Sequence, residues 1–127
     1  MLTHIGRKSG KPHQVVLEVV GHERTKGIFT IASGWGEKSD WYRNVLSHPK
    51  VQVNSGTHVF TALAVHLTEG EAKNVLCEYA VRHPFAFKEL ASVIVGVRSR
   101  DLQETVHLMA SHIPLLDLRP VEESQNG

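Results

Sequence analysis

The sequence has little cysteine and no long apolar run. A single cysteine, Cys77, occurs among 127 residues, which excludes an intrachain disulfide and a thiolate-rich metal site. No apolar run approaches the length of a membrane span, and the first residues lack the apolar segment of a signal peptide. We therefore expect a cytoplasmic protein without an integral membrane segment.

A strong net charge is also missing. The formal net charge is +1 with histidine neutral, so no global field attracts nucleic acid or anionic lipid. The nine histidines include no pair four residues apart and no HExxH motif, so we expect no metal site. The length suits one domain, which we predict over residues 1–120, followed by a disordered polar tail over residues 121–127.

Strand signals fill most of the first half of the sequence. β-Branched and apolar residues predict strands over residues 1–5, 13–21 and 27–33. Two further runs flank Asn54-Ser55-Gly56, a sequence typical of a hairpin turn. A closing strand is expected over residues 113–119.

Helix signals interrupt and then follow these strands. Ser39 is a plausible N-cap for a helix that ends before Pro49, and Thr68 with Glu71 has capping-box spacing. Two more helices are expected, over residues 85–95 and from Asp101 onward. The predicted fold class is α+β, with an antiparallel sheet curled into a barrel and helices that are segregated in sequence.

The stretch "GRKSGKPH", residues 6–13, concentrates positive charge and glycine near the start of the chain. Glycine lets backbone N–H groups approach an anion closely. Arg7 can bracket a phosphate with its planar guanidinium, Lys8 and Lys11 act as mobile point charges, and Ser9 adds a neutral donor. The stretch is suited to a phosphate or a carboxylate, but on its own it is more typical of a basic solvated loop.

A second stretch, "ASGWGEKSDWYRN" over residues 32–44, follows a predicted strand and contains two glycines. It includes both tryptophans of the chain, Trp35 and Trp41, and one of its two tyrosines, Tyr42. Aromatic surface beside exposed strand-end backbone suits a flat heterocycle. Trp41 and Tyr42 are also typical core anchors of an amphipathic helix, whereas Trp35 between two glycines is harder to explain as core.

Together with "IPLLDLRP" over residues 113–120, these stretches resemble the deazaflavin-dependent nitroreductase family. The resemblance covers nearly the whole chain in order, and the pairing of G-R-K-S-G-K-P with A-S-x-x-G…W-Y-x-N is its distinctive part. That family has the split β-barrel of flavin-binding proteins and uses coenzyme F420, a deazaflavin with a phosphate and an oligoglutamate tail. The resemblance therefore implies an F420-dependent reductase of the nitroreductase or quinone reductase type.

The resemblance also implies roles for individual residues. The cofactor-binding positions that it implies are Arg7, Lys8, Ser9, Lys11, His13, Gln14, Val15, Ser33, Gly34 and Trp35. The catalytic positions are Ser33, Tyr42 and Trp41, with Trp41 walling the substrate side and Ser33, Tyr42 or solvent delivering a proton. Asn44 matches the W-Y-x-N motif and is expected to have a structural role.

This sequence departs from the family pattern at several places. His13 stands where family members commonly have arginine, and Gly34 stands where some have lysine. The stretch "HPFAFKEL" lacks the tyrosines that the best-known nitroreductase presents over the ring. The resemblance still implies hydride transfer from reduced F420 to a small-molecule electron acceptor such as a quinone, enone or nitroaromatic. The alternatives are a split-barrel reductase that uses FMN and a non-catalytic module that binds deazaflavin or flavin. A homodimer is also expected from the edge strands.

Overall fold

The computed structural model describes residues 1–17, 19–33, 39–95 and 102–121. Within these ranges the chain forms seven strands and four helices. The strands are β1 (Leu2–Ile5), β2 (Pro12–Val15), β3 (Val19–Glu23), β4 (Ile28–Ala32), β5 (Lys50–Ser55), β6 (His58–His66) and β7 (Leu115–Pro120). The helices are α1 (Asp40–Ser47), α2 (Glu69–Arg82), α3 (Pro84–Val95) and α4 (Leu102–His112).

The seven strands form one antiparallel sheet in the order β2-β1-β5-β6-β7-β4-β3. The α+β class with an antiparallel sheet is therefore confirmed. The prediction of a barrel is wrong for a closed form, because β2 and β3 each pair with one strand only among the described residues. The sheet is open at these two edges.

The two open edges are nevertheless close in sequence. The single strand predicted over residues 13–21 is wrong, since β2 ends at Val15 and β3 begins at Val19 on the opposite edge of the sheet. Four residue steps span at most about 14 Å, even in a fully extended chain. The sheet must therefore curl strongly enough to bring the end of β2 and the start of β3, which lie at its two edges, within that distance.

Turn and cap signals in the sequence are confirmed. The β5–β6 hairpin turns at Gly56, whose φ of +63° favours glycine. Thr68 and Glu71 form the predicted capping box at the start of α2. Ser39 is the N-cap of α1 but makes no side-chain capping bond. Its Oγ instead accepts a hydrogen bond from Ser33 Oγ at 3.2 Å.

Two apolar cores lie on the two faces of the sheet, because alternate strand residues point to opposite faces. Leu115 on β7 faces the core that α2, α3 and α4 cover, which we call the helix-side core. Leu116 and Leu118 face the other core, to which α1 contributes Tyr42 and Val45, and which we call the groove-side core. No helix in the described part of the chain is long and apolar enough to cross a membrane.

Candidate functional site

A groove of about 960 Å³ opens between the turn that joins β1 to β2, strand β2 and the first half of α1. It contains seven residues that the sequence analysis selected: Arg7, Lys8, Ser9, His13, Gln14, Val15 and Trp41. It is also lined by His4, Gly6, Ser39, Asp40 and Asn44. The cationic stretch and one end of the aromatic stretch therefore share one concave surface.

The turn that carries the cations is closed by its own backbone. Gly6 N–H donates to the Lys11 carbonyl, and Gly10 N–H donates to the Gly6 carbonyl, both at 2.9 Å. Gly10 has a φ of +70°, and a Cβ on Gly6 would approach Ser9 Oγ to 2.5 Å. The backbone conformation therefore favours glycine at residue 10, and a side chain at residue 6 would force the Ser9 hydroxyl to move. Among the described residues, the N–H groups of Lys8 and Ser9 donate to no other group, which leaves them available to an anion.

Arg7 is held in place by the first turns of α1. Its Nη1 donates to Asn44 Oδ1 at 2.7 Å, and its backbone N–H donates to the same oxygen at 3.1 Å. Its Nη2 lies 3.4 Å from Asp40 Oδ1, a pair in which the Asp40 side chain is 87% exposed and which is therefore weak. Arg7 is thus oriented before any ligand arrives, whereas Lys8 is exposed.

Asn44 joins Arg7 to a buried histidine. Asn44 is 5% exposed, and its Nδ2 lies 3.1 Å from Nδ1 of His4, which is itself 5% exposed. Burial, and then the neighbouring charge of His13, lower the pKa of His4 below its ordinary value. His4 is therefore neutral at pH 7.

Trp41 lies half-buried at the α1 side of the groove and meets Tyr42 edge-on, with ring centroids 6.1 Å apart. Tyr42 is only 4% exposed and belongs to the groove-side core, where it also meets His66 edge-on at 6.2 Å. It does not line the groove. The catalytic role that the sequence suggested for Tyr42 stays a prediction.

Ser33 is fully buried at the end of β4. Its N–H donates to the Pro114 carbonyl at 3.1 Å, and its Oγ donates to Ser39 Oγ, which borders the groove. Gly34 and Trp35 lie outside the described residues. Lys11 is exposed at the end of the turn and does not line the groove. The roles suggested for these four residues stay predictions.

Sequence reasoning missed His4 and Asp40 as groove residues and the bond from Asn44 to Arg7. His4 occupies a buried position in the alternating pattern of β1, between Leu2 and Gly6. A histidine where an apolar residue is expected, three residues before an arginine, was the available signal. The bond to Asn44, 40 residues away, depends on tertiary packing that no local pattern contains.

Two solved structures resemble this fold. The protein Atu2129 from Agrobacterium tumefaciens, of unknown function, has a TM-score of 0.60 and 14% identity over 94% of this chain. This chain covers 46% of that protein, or about half of its length. The conserved hypothetical protein Rv2991 from Mycobacterium tuberculosis has a TM-score of 0.62 and 17% identity, with coverage of 95% of this chain and 71% of that protein. At these identities the likeness shows the fold alone.

A protein-family model matches residues 1–95 of this chain, a range that contains every described residue of the groove. The match covers well over half of the 127 residues and agrees with the resemblance inferred from the two N-terminal motifs. The chain belongs to the F420H(2)-dependent quinone reductase family, whose members are enzymes that depend on coenzyme F420.

Proposed function

We propose that this protein is an F420H2-dependent oxidoreductase that reduces a small electrophilic acceptor such as a quinone, an enone or a nitroaromatic. The observation that carries the proposal is the groove, in which a preorganised cationic turn and Trp41 line one concave surface. The family match supports the choice of coenzyme. The acceptor class rests on the family description and on the resemblance of the motifs.

The residues of the groove fit an elongated anionic heterocycle. Arg7, Lys8 and Ser9 surround the turn end, where two backbone N–H groups add to the side-chain donors. These groups suit the phosphate of F420 and the carboxylates of its oligoglutamate tail. Asp40, the one carboxylate among the described residues of the lining, is paired with Arg7, which reduces its repulsion of an anion. Trp41, half-buried, offers an aromatic surface for a ring.

When bound, reduced F420 supplies a low-potential hydride, and the protein supplies orientation and a place for the proton. The edge strand β2 presents Gln14 and Val15 beside the groove, where their backbone can position a flat ring. Trp41 excludes water from one side. We propose that Ser39 is the hydroxyl that reaches the acceptor, and that Ser33 donates to it from the interior.

A titration of the purified protein with F420 and FMN side by side tests the proposal. We expect F420 to bind at least about tenfold more tightly, because the turn offers more cationic and N–H donors than one phosphate uses. The double variant Arg7→Ala, Lys8→Ala should lose most of this affinity. The matched control is Lys26→Ala, which removes an exposed cation that does not line the groove.

Turnover is then measured with F420H2 and one acceptor of each class. Reduction of any of them supports the oxidoreductase, and the acceptor with the highest kcat/KM defines its class. Tight F420 binding without turnover would indicate a non-catalytic binding module and would overturn the proposed enzyme activity. Preferential binding of FMN would overturn the proposed coenzyme. The mass of the protein in solution, measured by light scattering, tests the expected homodimer.

A further inference from the structure

A buried histidine lies behind the cationic turn and has no role in the proposed function. His4, on β1, contacts Asn44 on α1, and Asn44 contacts Arg7 in the turn. These three residues form a continuous hydrogen-bonded chain along the wall of the groove. Its geometry determines which protonation state of His4 is compatible with the position of Arg7.

The two donors of Arg7 fix the orientation of the Asn44 amide. Both Arg7 N–H and Nη1 point at one amide atom, at 3.1 and 2.7 Å, so that atom must be the oxygen. The amide nitrogen then faces His4 Nδ1 at 3.1 Å and donates to it. A ring nitrogen that accepts cannot carry a proton, so the hydrogen-bond network assigns the single proton of His4 to Nε2.

We propose that His4 is a positioning residue which, as a neutral imidazole, orients Asn44 and through it holds Arg7 where it binds the anionic part of the coenzyme. This inference rests on the proposed function, because it concerns the same groove. A proton on Nδ1 would face the Asn44 amide N–H, so two donors would oppose each other. Turning the amide over would relieve that clash but would present its nitrogen to the donors of Arg7.

The charges around His4 favour the neutral form. On β2, His13 stacks on the His4 ring, with centroids 5.7 Å apart. The turn contributes Arg7, and α1 contributes Asp40, which is exposed and paired with Arg7. Strand β5, on the other side of β1, carries only one ionisable side chain, Lys50. Among the described residues, burial and then the neighbouring charge of His13 therefore oppose protonation of His4.

His13 is an exposed side chain that lines the groove and can contribute to coenzyme binding directly. The contribution of His4 must therefore be measured as a difference between variants that all retain His13.

Two substitutions at His4 distinguish the role of Nδ1 as a hydrogen-bond acceptor from the ability of the ring to take up a proton. In His4→Asn the amide oxygen can replace Nδ1 as acceptor and cannot be protonated, whereas His4→Leu fills the space without an acceptor. At pH 7.5 we expect F420 affinity within about twofold of wild type for His4→Asn and about five- to tenfold weaker for His4→Leu, since one supporting hydrogen bond is lost. Between pH 7.5 and 5.5, the affinity of wild type should fall relative to that of His4→Asn.

A matched control is His107→Asn, which changes an exposed histidine on α4 and should follow the wild-type pH profile. Equal affinity of His4→Leu and wild type, or parallel pH profiles of His4→Asn and wild type, would overturn the inference while F420 binding remained intact. Failure of wild type to bind F420 would remove the proposed function, and with it the coenzyme part of this inference.

The state of His4 can also be read without any coenzyme. In the NMR spectrum of the apoprotein, we expect the Nε2–H tautomer of His4. Asn44→Asp should raise the pKa of His4, because a carboxylate oxygen would then face Nδ1 and would favour a proton there. An Nδ1–H tautomer in wild type, or an unchanged pKa in Asn44→Asp, would contradict the proposed chain. This measurement also decides the question if His4→Leu fails to fold.

Discussion

The two sides of the sheet use buried polar groups differently. The helix-side core is built from aliphatic and aromatic side chains of α2, α3, α4 and the adjoining strands. Of the five buried polar side chains among the described residues, His4, Ser33 and Asn44 lie at the groove or one hydrogen bond from it. The helix-side core therefore contributes to stability through apolar packing. The groove side instead holds its polar side chains in defined orientations through directional hydrogen bonds.

This difference predicts that stability and coenzyme affinity respond to different substitutions. Apolar contacts do not require a specific orientation, but truncating a buried apolar side chain is costly because it leaves a cavity. A hydrogen-bonded chain such as His4–Asn44–Arg7 adds little net stability but specifies one geometry.

The largest expected effect is on the helix-side core. Leu76 on α2 is fully buried, so Leu76→Ala should lower the free energy of unfolding by about 3 kcal/mol. Urea denaturation measures this change, and F420 affinity of the folded variant should stay near that of wild type. The control is Val81→Ala on the same helix, where a 75% exposed side chain should cost less than about 0.5 kcal/mol. A large affinity loss in Leu76→Ala would contradict the separation of the two regions.

Arg7→Ala should show the reverse pattern. Loss of a charge-assisted hydrogen bond to an anion costs about 1.5–3 kcal/mol, which corresponds to a roughly 10- to 100-fold higher Kd for F420. Calorimetric titration measures it, and Lys26→Ala provides the charge-matched control. If Arg7→Ala lost only stability, Arg7 would be a structural anchor of α1 and not a ligand-binding group.

A smaller effect is expected at the start of α2. Thr68 Oγ1 accepts from the Glu71 N–H at 3.2 Å, and the Glu71 carboxylate accepts from the Thr68 N–H at 3.0 Å. Thr68→Ala should therefore lower the unfolding free energy by about 1 kcal/mol. Thr68→Ser keeps the hydroxyl and should retain most of the capping contribution. Thermal unfolding of the three proteins at one pH makes the comparison. Equal losses in both variants would show that the methyl group, and not the cap, is responsible.

The smallest effect is a pH dependence that distinguishes the two regions. The pKa of His4 is lowered in the folded state, so below about pH 6.5 the unfolded chain binds more protons and the free energy of unfolding falls. The pKa of Glu71 is lowered by its bonds to Thr68, so its contribution is complete above about pH 4.5 and is lost as the pH falls through the folded-state pKa.

The two pH windows can be assigned by substitution. His4→Asn should remove the decline that begins near pH 6.5 and leave the acidic one, whereas Glu71→Gln should do the opposite. Unfolding free energies measured from about pH 8 to about pH 2 test both. A decline near pH 6.5 that persists in His4→Asn would have to come from another histidine.

Local signals predicted the elements best where a few neighbouring residues determine the geometry. The Asn54-Ser55-Gly56 turn and the Thr68–Glu71 capping box depend on contacts within four residues, so both could be predicted from the sequence. The break between β2 and β3 could not be predicted in this way, because four of the six residues from Val15 to Val20 are valine, which favours one continuous strand. What ends β2 there is the change from one sheet edge to the other, which is a property of the topology.

The groove was predictable in part for the same reason. Charge and glycine in residues 6–11 indicated an anion site, and Trp41 indicated an aromatic wall. The link from Arg7 through Asn44 to His4 joins residues 37 and 40 positions apart, so it appears only when β1 packs against α1.

The pairing of the N-terminal strands has a consequence for how the protein is made. Strand β1 pairs with β5, and β3 reaches the rest of the sheet only through β4, which itself pairs with β7. A nascent chain that has emerged from the ribosome only as far as β4 therefore lacks the partners that shape its groove. The cationic turn precedes α1 and β5 in the chain, so the groove gains its geometry only after both elements have packed against β1.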